Sequence, residues 1–355
     1  MNQIGLDTFY EKIHQQKVPF PFDAQIELTY RCNLTCVHCY CRGMADKKQE
    51  LSTGEVKRII DTLHQQGCIW LSFTGGEPFI RDDFLELYAY AKQKGFIINI
   101  LTNGQLLSSA ILRYLAISPP QSIELTLNGI RAATYEQITG VPGSFRTVIS
   151  AIKKIVKLGL PLVVKTNLMR QNAREILRIK KWVEKTVGKP GRKHFFKYDP
   201  LIYPRMNGDR SPCAHRLSGA ELEDVLRQDV DMWQQYQAQA NVCLPAAGTD
   251  SSQLYRCNSW MAQAFINPYG KLKFCLFSEK FSADLRHDTF DQGFISNFSR
   301  IPAKQFKTAS ACRACRLRPL CLWCPAKAVL ETGNEESPVA YYCAMAQATV
   351  RGRTR

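Results

Sequence analysis

The sequence predicts an α/β protein in which a partial (β/α)6 barrel precedes a small cysteine-rich domain. Strand-like and helix-like segments alternate over the first two thirds of the chain, which is typical of a parallel sheet covered by helices. Six such units are too few for a complete eight-stranded barrel, so an open barrel is expected. From about Asn241 the alternation is lost, and eight of the fourteen cysteines lie at or after Cys243.

Each predicted strand is a short run rich in apolar and β-branched residues. The six candidates are Gln25–Thr29, Ile69–Thr74, Ile97–Thr102, Ile123–Leu127, Leu162–Asn167 and His194–Leu201. Helices are expected between them. Ser52 and Glu55 have the spacing of a capping box and predict a helix that runs to about Gln66. Apolar residues at helical spacing from Phe145 to Val156 predict another.

These patterns divide the chain into five parts. We expect an N-terminal extension (1–23), the barrel (24–217), a polar linker helix over Ser218–Ala240, the cysteine-rich domain (241–350) and a basic tail (351–355).

Composition restricts the classes of protein that fit. No apolar run approaches the roughly 20 residues of a membrane span, and the N-terminus lacks the apolar core of a signal peptide, so a soluble cytoplasmic protein is expected. Fourteen cysteines in a reducing compartment then favour metal ligation or catalysis over disulfides. The net charge of +16 raises nucleic acid as a partner, but the basic residues are dispersed and metal-bound thiolates would reduce that charge. Solvated basic faces, or attraction for an acidic partner, fit the charge better.

A first cysteine cluster follows the first predicted strand. Cys32, Cys36 and Cys39 have C-x3-C-x2-C spacing on a loop where barrels build their active sites. Three close thiolates suit a soft metal or an iron–sulfur cluster, whereas a structural zinc site has four protein ligands. His38 or Cys41 could be offered as the fourth, and a zinc knuckle or inert thiols are the alternative interpretation.

This motif resembles the signature of the radical S-adenosylmethionine (SAM) superfamily. The resemblance implies that the three cysteines hold a [4Fe–4S] cluster whose fourth iron chelates SAM. His38 and Tyr40 then match positions where the family has aromatic residues lining the cofactor; loop packing is their alternative role.

Other segments carry the same resemblance at the ends of later strands. Gly75, Gly76, Glu77 and Pro78 resemble the GGEP motif that binds the SAM amino group. The segments that end the third, fourth and fifth strands resemble those that contact the rest of SAM, and imply as cofactor-binding residues Thr102, Asn103, Asn128, Thr166 and Asn167. Relatives often have Ser and Asp where Leu127 and Asn128 stand, and an asparagine before glycine is also a common turn former.

The C-terminal cysteines resemble the SPASM domain, which holds auxiliary [4Fe–4S] clusters in many radical SAM maturases. By that resemblance one cluster is held by Cys312, Cys315, Cys321 and Cys343. The inner one is held by Cys257, Cys275 and Cys324. The stretch before Cys257 lacks a cysteine that relatives have, so the inner cluster either has an open iron, which we favour, or recruits Cys243. Structural zinc is the alternative for the whole array.

One further thiol has a candidate catalytic role. Cys213 follows the sixth predicted strand in a proline-rich segment and could donate a hydrogen atom to a substrate radical, as in some peptide epimerases of the superfamily. An ordinary loop cysteine is the alternative.

The function implied is reductive cleavage of SAM to a 5′-deoxyadenosyl radical that abstracts hydrogen from a ribosomally made peptide or protein, giving a crosslink, an epimer or an oxidised side chain. Sulfatase-type maturases have an acidic residue where Leu276 stands, which argues against formylglycine formation. An electron donor such as flavodoxin or ferredoxin is an implied partner. The N-terminal extension is too short for the peptide-recognition domain that many peptide maturases carry, so we expect the leader of a peptide substrate to be read by a separate leader-peptide recognition protein, by the tail or not at all. The alternatives are a small-molecule or tetrapyrrole-modifying radical SAM oxidase or decarboxylase and, more distantly, a basic zinc-binding module that contacts nucleic acid.

Overall fold

A computed structural model describes residues 19–45, 49–188, 195–234, 252–257 and 259–351. Six parallel strands alternate with helices over the first two thirds, as predicted. The strands are β1 (Asp23–Thr29), β2 (Trp70–Gly75), β3 (Ile97–Thr102), β4 (Ser122–Thr126), β5 (Leu162–Asn167) and β6 (Phe196–Asp199). The helices between them are α1 (Thr53–Gln65), α2 (Phe84–Gln93), α3 (Ser109–Ile117), α4 (Ala132–Thr139), α5 (Ser144–Lys157) and α6 (Ile176–Val187).

The C-terminal part has shorter elements. They are α7 (Gly219–Gln228), α8 (Ser259–Ala262), β7 (Gln263–Ile266), β8 (Lys271–Lys273), β9 (Ala283–Asp284), α9 (Pro325–Thr332) and α10 (Ala340–Arg351). Gly270 turns β7 into β8 with φ +87°, which forms a hairpin before Cys275. Among the helices just described, none combines the length and the apolar character needed to cross a bilayer.

The C-terminal strands extend the barrel sheet. Its order is β6-β5-β4-β3-β2-β1-β7-β8-β9, with β7 parallel to β1 and both β8 and β9 antiparallel to their neighbours. In this register Phe265 lies opposite Gln25 on one side and Lys273 on the other. No pairing among the described residues joins β6 to β9, so the barrel is open there, as expected.

The core lies between the sheet and the helices. Alternate strand residues such as Ile26, Phe73 and Ile100 are fully buried against the helical layer. Burying such a side chain contributes roughly 1.5–3 kcal/mol, which makes this layer the main source of barrel stability. The capping box of α1 is present as predicted, because the Ser52 hydroxyl accepts from Glu55 N and the Glu55 carboxylate accepts from Ser52 N.

The predicted linker helix over Ser218–Ala240 needs a correction. Helix α7 ends at Gln228, and Asp229 breaks the helix before a second helical segment begins at Val230. The buried Asp229 carboxylate forms an ion pair with Lys180 (2.8 Å) and accepts from the Tyr198 hydroxyl (3.3 Å). These contacts with the barrel stabilise the break. Residues 235–240, and the predicted boundary at Asn241, lie outside the described residues.

Candidate active site

The Cys32–Cys39 loop leaves the carboxyl end of β1, where a barrel active site is expected. Its backbone pairs with the end of α4, because Thr35 N donates to Thr139 O (2.9 Å) and Val37 N donates to Ile138 O (3.0 Å). These bonds fix the loop without a ligand.

The three thiols of this loop act on one another electrostatically. Burial is the main cause that raises the pKa of Cys36, and negative charge on Cys39 and Cys32 raises it further. Cys32 is exposed, whereas Cys36 and Cys39 are half-buried. Of the two suggested fourth ligands, Cys41 is buried with its sulfur 3.5 Å from that of Cys39. Within the described ranges no three His, Cys, Asp or Glu side chains are grouped so as to hold a single metal ion.

The turn after β2 is pressed against this loop. Gly75 has φ +132°, and a Cβ atom there would lie 2.2 Å from Thr29 O. A Cβ on Gly76 would lie 2.3 Å from Arg31 O. Only glycine therefore allows this approach, and the Gly76 and Glu77 amides donate to those same two carbonyls (2.7 and 3.0 Å).

Glu77 joins the ends of β2 and β3. Its buried carboxylate accepts from the Thr102 hydroxyl (2.9 and 3.0 Å), from Asn103 N (2.7 Å) and from Phe79 N (3.2 Å). Burial raises the pKa of Glu77 to about 7, although these bonds lower it. The carboxylate thus anchors the turn, and its predicted contact with an ammonium group stays a prediction. The Asn103 amide also reaches Cys32 Sγ, at 3.6 Å.

His38 lies beside the ends of β4 and β5. The Asn128 amide oxygen accepts from Asn167 N (2.9 Å), so its NH2 group faces His38 Nε2 at 3.5 Å. This arrangement assigns the proton of the neutral ring to Nδ1. That nitrogen is buried and has no partner among the described residues. Burial lowers the pKa of His38 to about 4, so the imidazole is neutral near pH 7.

The ends of β4 and β5 are fixed by a residue that the sequence did not point to. The fully buried Asn172 amide donates to the carbonyls of Asn128 (3.0 Å) and Asn167 (2.9 Å). Thr166 donates to Leu127 O (2.7 Å). The Thr166 hydroxyl is therefore bound to the backbone. Asn167 is the last residue of β5, and its cofactor-binding role stays a prediction.

The C-terminal thiols form two separate groups. Cys324 and Cys257 act electrostatically on Cys275, whose pKa burial chiefly raises, to about 11. The other group consists of Cys312, Cys315, Cys321 and Cys343, which act on one another in the same way. The sequence predicts the same two sets as cluster ligands, and that ligation stays a prediction. Cys243 lies outside the described residues.

An aromatic contact spans the space between the first loop and the inner thiols. The Phe277 ring lies 5.9 Å from the Tyr40 ring and 4.5 Å from the Tyr203 ring, measured between centroids. Met206 N donates to Tyr40 O (2.9 Å), so the segment after β6 holds Tyr40 as well. Burial raises the pKa of Tyr203, and the negative charges of Asp199, Cys324 and Cys275 raise it further.

A buried carboxylate lies beneath Tyr40. Glu27 of β1 is 2% exposed and accepts from the hydroxyls of Tyr30 (2.9 Å) and Tyr40 (3.3 Å). Burial raises the pKa of Glu27 to about 7, and the Lys273 ammonium opposes that rise. Sequence reasoning missed Glu27. A charged residue within the apolar run QIELT was the available signal.

Cys213 lies in a short 3-10 helix, Ser211–His215. Its electrostatic neighbours are Arg216, Glu331 and Arg210, and burial raises its pKa. Within the described residues nothing brings its thiol to the cysteine loop. His215 instead acts electrostatically on His38, and its imidazole contacts the Gln171 amide, so His215 is a second residue that the sequence did not indicate.

The donor set fits a soft-metal cluster with an organic ligand beside it. Three thiols share one loop, the Gly75–Gly76 backbone is pressed against it, and the unpartnered Nδ1 of His38 is buried nearby. A sulfur-ligated cluster and a polar small molecule would use these features together.

Comparison with known proteins assigns the class. The model of the radical SAM superfamily matches residues 26–183. The chain therefore carries a radical SAM domain over these residues, and proteins of that superfamily bind SAM and a [4Fe–4S] cluster. Its C-terminal region is cysteine-rich, as expected for the SPASM type.

Three particular proteins show how far the similarity extends. The AdoMet-dependent heme synthase of Methanosarcina barkeri is 26% identical over 345 residues, covering 89% of this chain and 95% of that protein. The antilisterial bacteriocin subtilosin biosynthesis protein AlbA of Bacillus subtilis is 25% identical over 78% of this chain, which spans 60% of AlbA. Streptococcus suis SuiB bound to precursor peptide SuiA has TM-score 0.70 at 18% identity, covering 95% of this chain and 82% of SuiB. The last comparison shows a shared fold.

Proposed function

We propose that this radical SAM enzyme modifies a ribosomally made peptide or protein, and that Cys32, Cys36 and Cys39 hold its SAM-binding cluster. The observation that carries the assignment is the contact of the Gly75–Gly76 turn with the backbone of Thr29 and Arg31, directly before Cys32, which places thiols and a closely approachable backbone at one barrel end. When bound, the cluster and SAM supply a 5′-deoxyadenosyl radical that removes a hydrogen atom from the substrate.

The surrounding residues bind and orient. Glu77 fixes the turn, and the chain from Gly75 to Pro78 is predicted to take the amino group of SAM. His38 Nδ1–H is a donor for an acceptor atom of the cofactor, because the Asn128 amide holds the ring in that tautomer. Tyr40, Thr102, Asn103, Thr166 and Asn167 complete the predicted SAM-binding set.

Auxiliary clusters are proposed for the two C-terminal groups. Cys312, Cys315, Cys321 and Cys343 would hold the outer [4Fe–4S] cluster. Cys257, Cys275 and Cys324 would hold the inner one, with an open iron or with Cys243 as its fourth ligand. The separation of the seven thiols into these two electrostatic groups supports the proposal.

A peptide substrate is supported by two relatives of different kinds. AlbA is a bacteriocin biosynthesis protein, and SuiB was solved with its precursor peptide. We further propose a flavodoxin- or ferredoxin-like electron donor, a separate leader-recognition protein and a cytoplasmic location. Hydrogen donation by Cys213 stays a prediction from its position after β6.

A tetrapyrrole substrate is the second candidate. The heme synthase of M. barkeri aligns over nearly the whole length of both chains, which AlbA does not. This observation favours a porphyrin oxidase or decarboxylase of similar architecture.

The test is anaerobic reconstitution of the full chain with iron and sulfide, followed by reduction with SAM. We expect 5′-deoxyadenosine from the unchanged protein and none from Cys36→Ala. Cys68→Ala is the matched control, because Cys68 is a buried barrel thiol that donates to backbone carbonyls. A reduced, iron-loaded protein that never forms 5′-deoxyadenosine would contradict the proposal.

The substrate classes are separated by adding each in turn. Peptides encoded by short genes next to the gene for this protein should acquire a defined mass change. Iron coproporphyrin III should remain intact. Porphyrin decarboxylation with unchanged peptides would establish the second candidate instead.

A further inference from the structure

We propose that Glu27 is a positioning residue that, together with Lys273, fixes the Tyr40 side chain. Through Tyr40 it holds the Cys32–Cys39 loop in a fixed position relative to the inner thiols (Cys257, Cys275 and Cys324). This inference rests on the proposed ligands, but its geometry is independent of the substrate. Three observations carry it.

The first observation is that Glu27 is buried with both carboxylate oxygens engaged. One oxygen accepts from Tyr30 and the other from Tyr40, the residue directly after Cys39. A buried carboxylate is costly unless hydrogen bonds and an opposite charge compensate it. The network therefore restrains Tyr40 strongly.

The second observation identifies the opposite charge. Lys273 is 1% exposed, and its ammonium forms an ion pair with Glu279 (3.0 Å). Residues paired across strands share a face, so Lys273 of β8 projects from the same face as Phe265 of β7 and Gln25 of β1. Glu27, two residues after Gln25, shares that face. Lys273 accordingly lowers the pKa of Glu27.

The third observation is where these contacts lie along the chain. Lys273 is two residues before Cys275, and Phe277, which packs edge-on against Tyr40, is two residues after it. Both C-terminal contacts of the Glu27–Tyr40 unit thus flank one inner thiol. Movement of Cys275 would be transmitted to Tyr40 through a charge on one side and a ring on the other.

The first arm of the test uses the metal-free full chain. Hydrogen exchange of the backbone amides of residues 33–41 should accelerate about tenfold in Phe277→Ala, because the C-terminal contact to Tyr40 is lost. Phe290→Ala is the control, since that ring stacks on Phe294 instead. Equal exchange of the loop in both variants would overturn the proposal, whether or not a cluster assembles.

The second arm measures the midpoint potential of the cluster in the first loop by redox titration with electron paramagnetic resonance. Glu27→Gln removes a negative charge and should raise the potential, whereas Lys273→Met should lower it, and the double variant should return towards the unchanged protein. A merely structural role would not give opposite signs. Tyr40→Phe should alter the spectrum, whereas Tyr30→Phe, which removes the other hydroxyl from the same carboxylate, should not. Shifts of equal sign in the two charge variants would contradict the pairing.

Discussion

The barrel and the C-terminal region differ in how much regular structure surrounds their cysteines. The first loop is bonded to α4 and pressed against the β2 turn, behind a continuous layer of buried strand residues. Residues 301–324 carry four cysteines but form no helix or strand. Their one regular backbone pairing is the isolated bridge between Gln253 and Gln305. A segment with little regular secondary structure can depend on metal ligation for its fold. The difference leads us to expect that the first cluster is added to a finished scaffold, whereas the proposed auxiliary clusters would be part of theirs.

The largest expected effect comes from removing the first thiols. Cys32→Ala combined with Cys39→Ala should reduce 5′-deoxyadenosine formation to background while leaving the iron of the C-terminal groups in place. Iron analysis should show a loss of about four atoms per chain, the content of one [4Fe–4S] cluster. Loss of all iron would show that the two regions do not load independently.

Removing the metal should separate the regions by stability. After chelation we expect the amides of residues 301–345 to lose protection from hydrogen exchange, because ligation contributes their folding free energy. Those of β2, β3 and β5 should keep theirs. Equal loss of protection in both regions would refute the contrast between a finished scaffold and a metal-dependent one.

A backbone substitution tests the scaffold itself. Gly75→Ala should cost about 3 kcal/mol in the free energy of unfolding, because its Cβ would overlap Thr29 O and its φ of +132° disfavours a side chain. Gly143→Ala is the matched control. Its φ is +80°, but a Cβ there meets nothing within 4 Å, so about 1 kcal/mol is expected. Denaturant unfolding of metal-free protein measures both, and equal costs would mean that the close approach is unimportant.

The smallest expected effect comes from an ion pair on the surface between the barrel and the C-terminal region. Arg286 forms an ion pair with Glu55 of α1 (2.8 Å), and this bond, with the Ser52 cap, lowers the pKa of Glu55 to about 2. Because the pKa is lowered in the folded state, the ionised Glu55 carboxylate contributes stability above about pH 4.5, and this contribution is lost as the pH falls towards 2. Glu55→Gln should therefore remove roughly 1 kcal/mol from the free energy of unfolding at pH 7, a small effect because solvent screens the pair. The fall in stability between pH 4.5 and pH 2 should also become shallower. An unchanged pH dependence of stability in the variant would show that the Arg286–Glu55 ion pair does not stabilise the protein.

Local signals predicted much of the fold. The bounds of β3 and β5 agree with the predicted ones residue for residue, because turn residues delimit each apolar run. The capping box of α1 and the Gly270 hairpin were also local patterns. The break at Asp229 was not predictable, since it depends on Lys180 and Tyr198, which are distant along the chain.

The candidate site divides in the same way. The first three thiols were found from their spacing and the GGEP segment from its resemblance to a family motif, and their ligand roles remain predictions. Glu27, Asn172 and His215 were missed because their importance comes from tertiary contacts. Each is a single polar residue, and only the fold places it beside Tyr40, Asn128 or His38.

The pairing of β1 with β7 has a consequence for biosynthesis. Ile26 lies opposite Ile266, so one edge of the first strand finds its partner only after most of the chain has been made. At about 5–20 residues per second, the ribosome leaves that edge open for roughly ten to fifty seconds. An unpaired strand edge is a template for aggregation, and its long wait makes the nascent chain a client for chaperones.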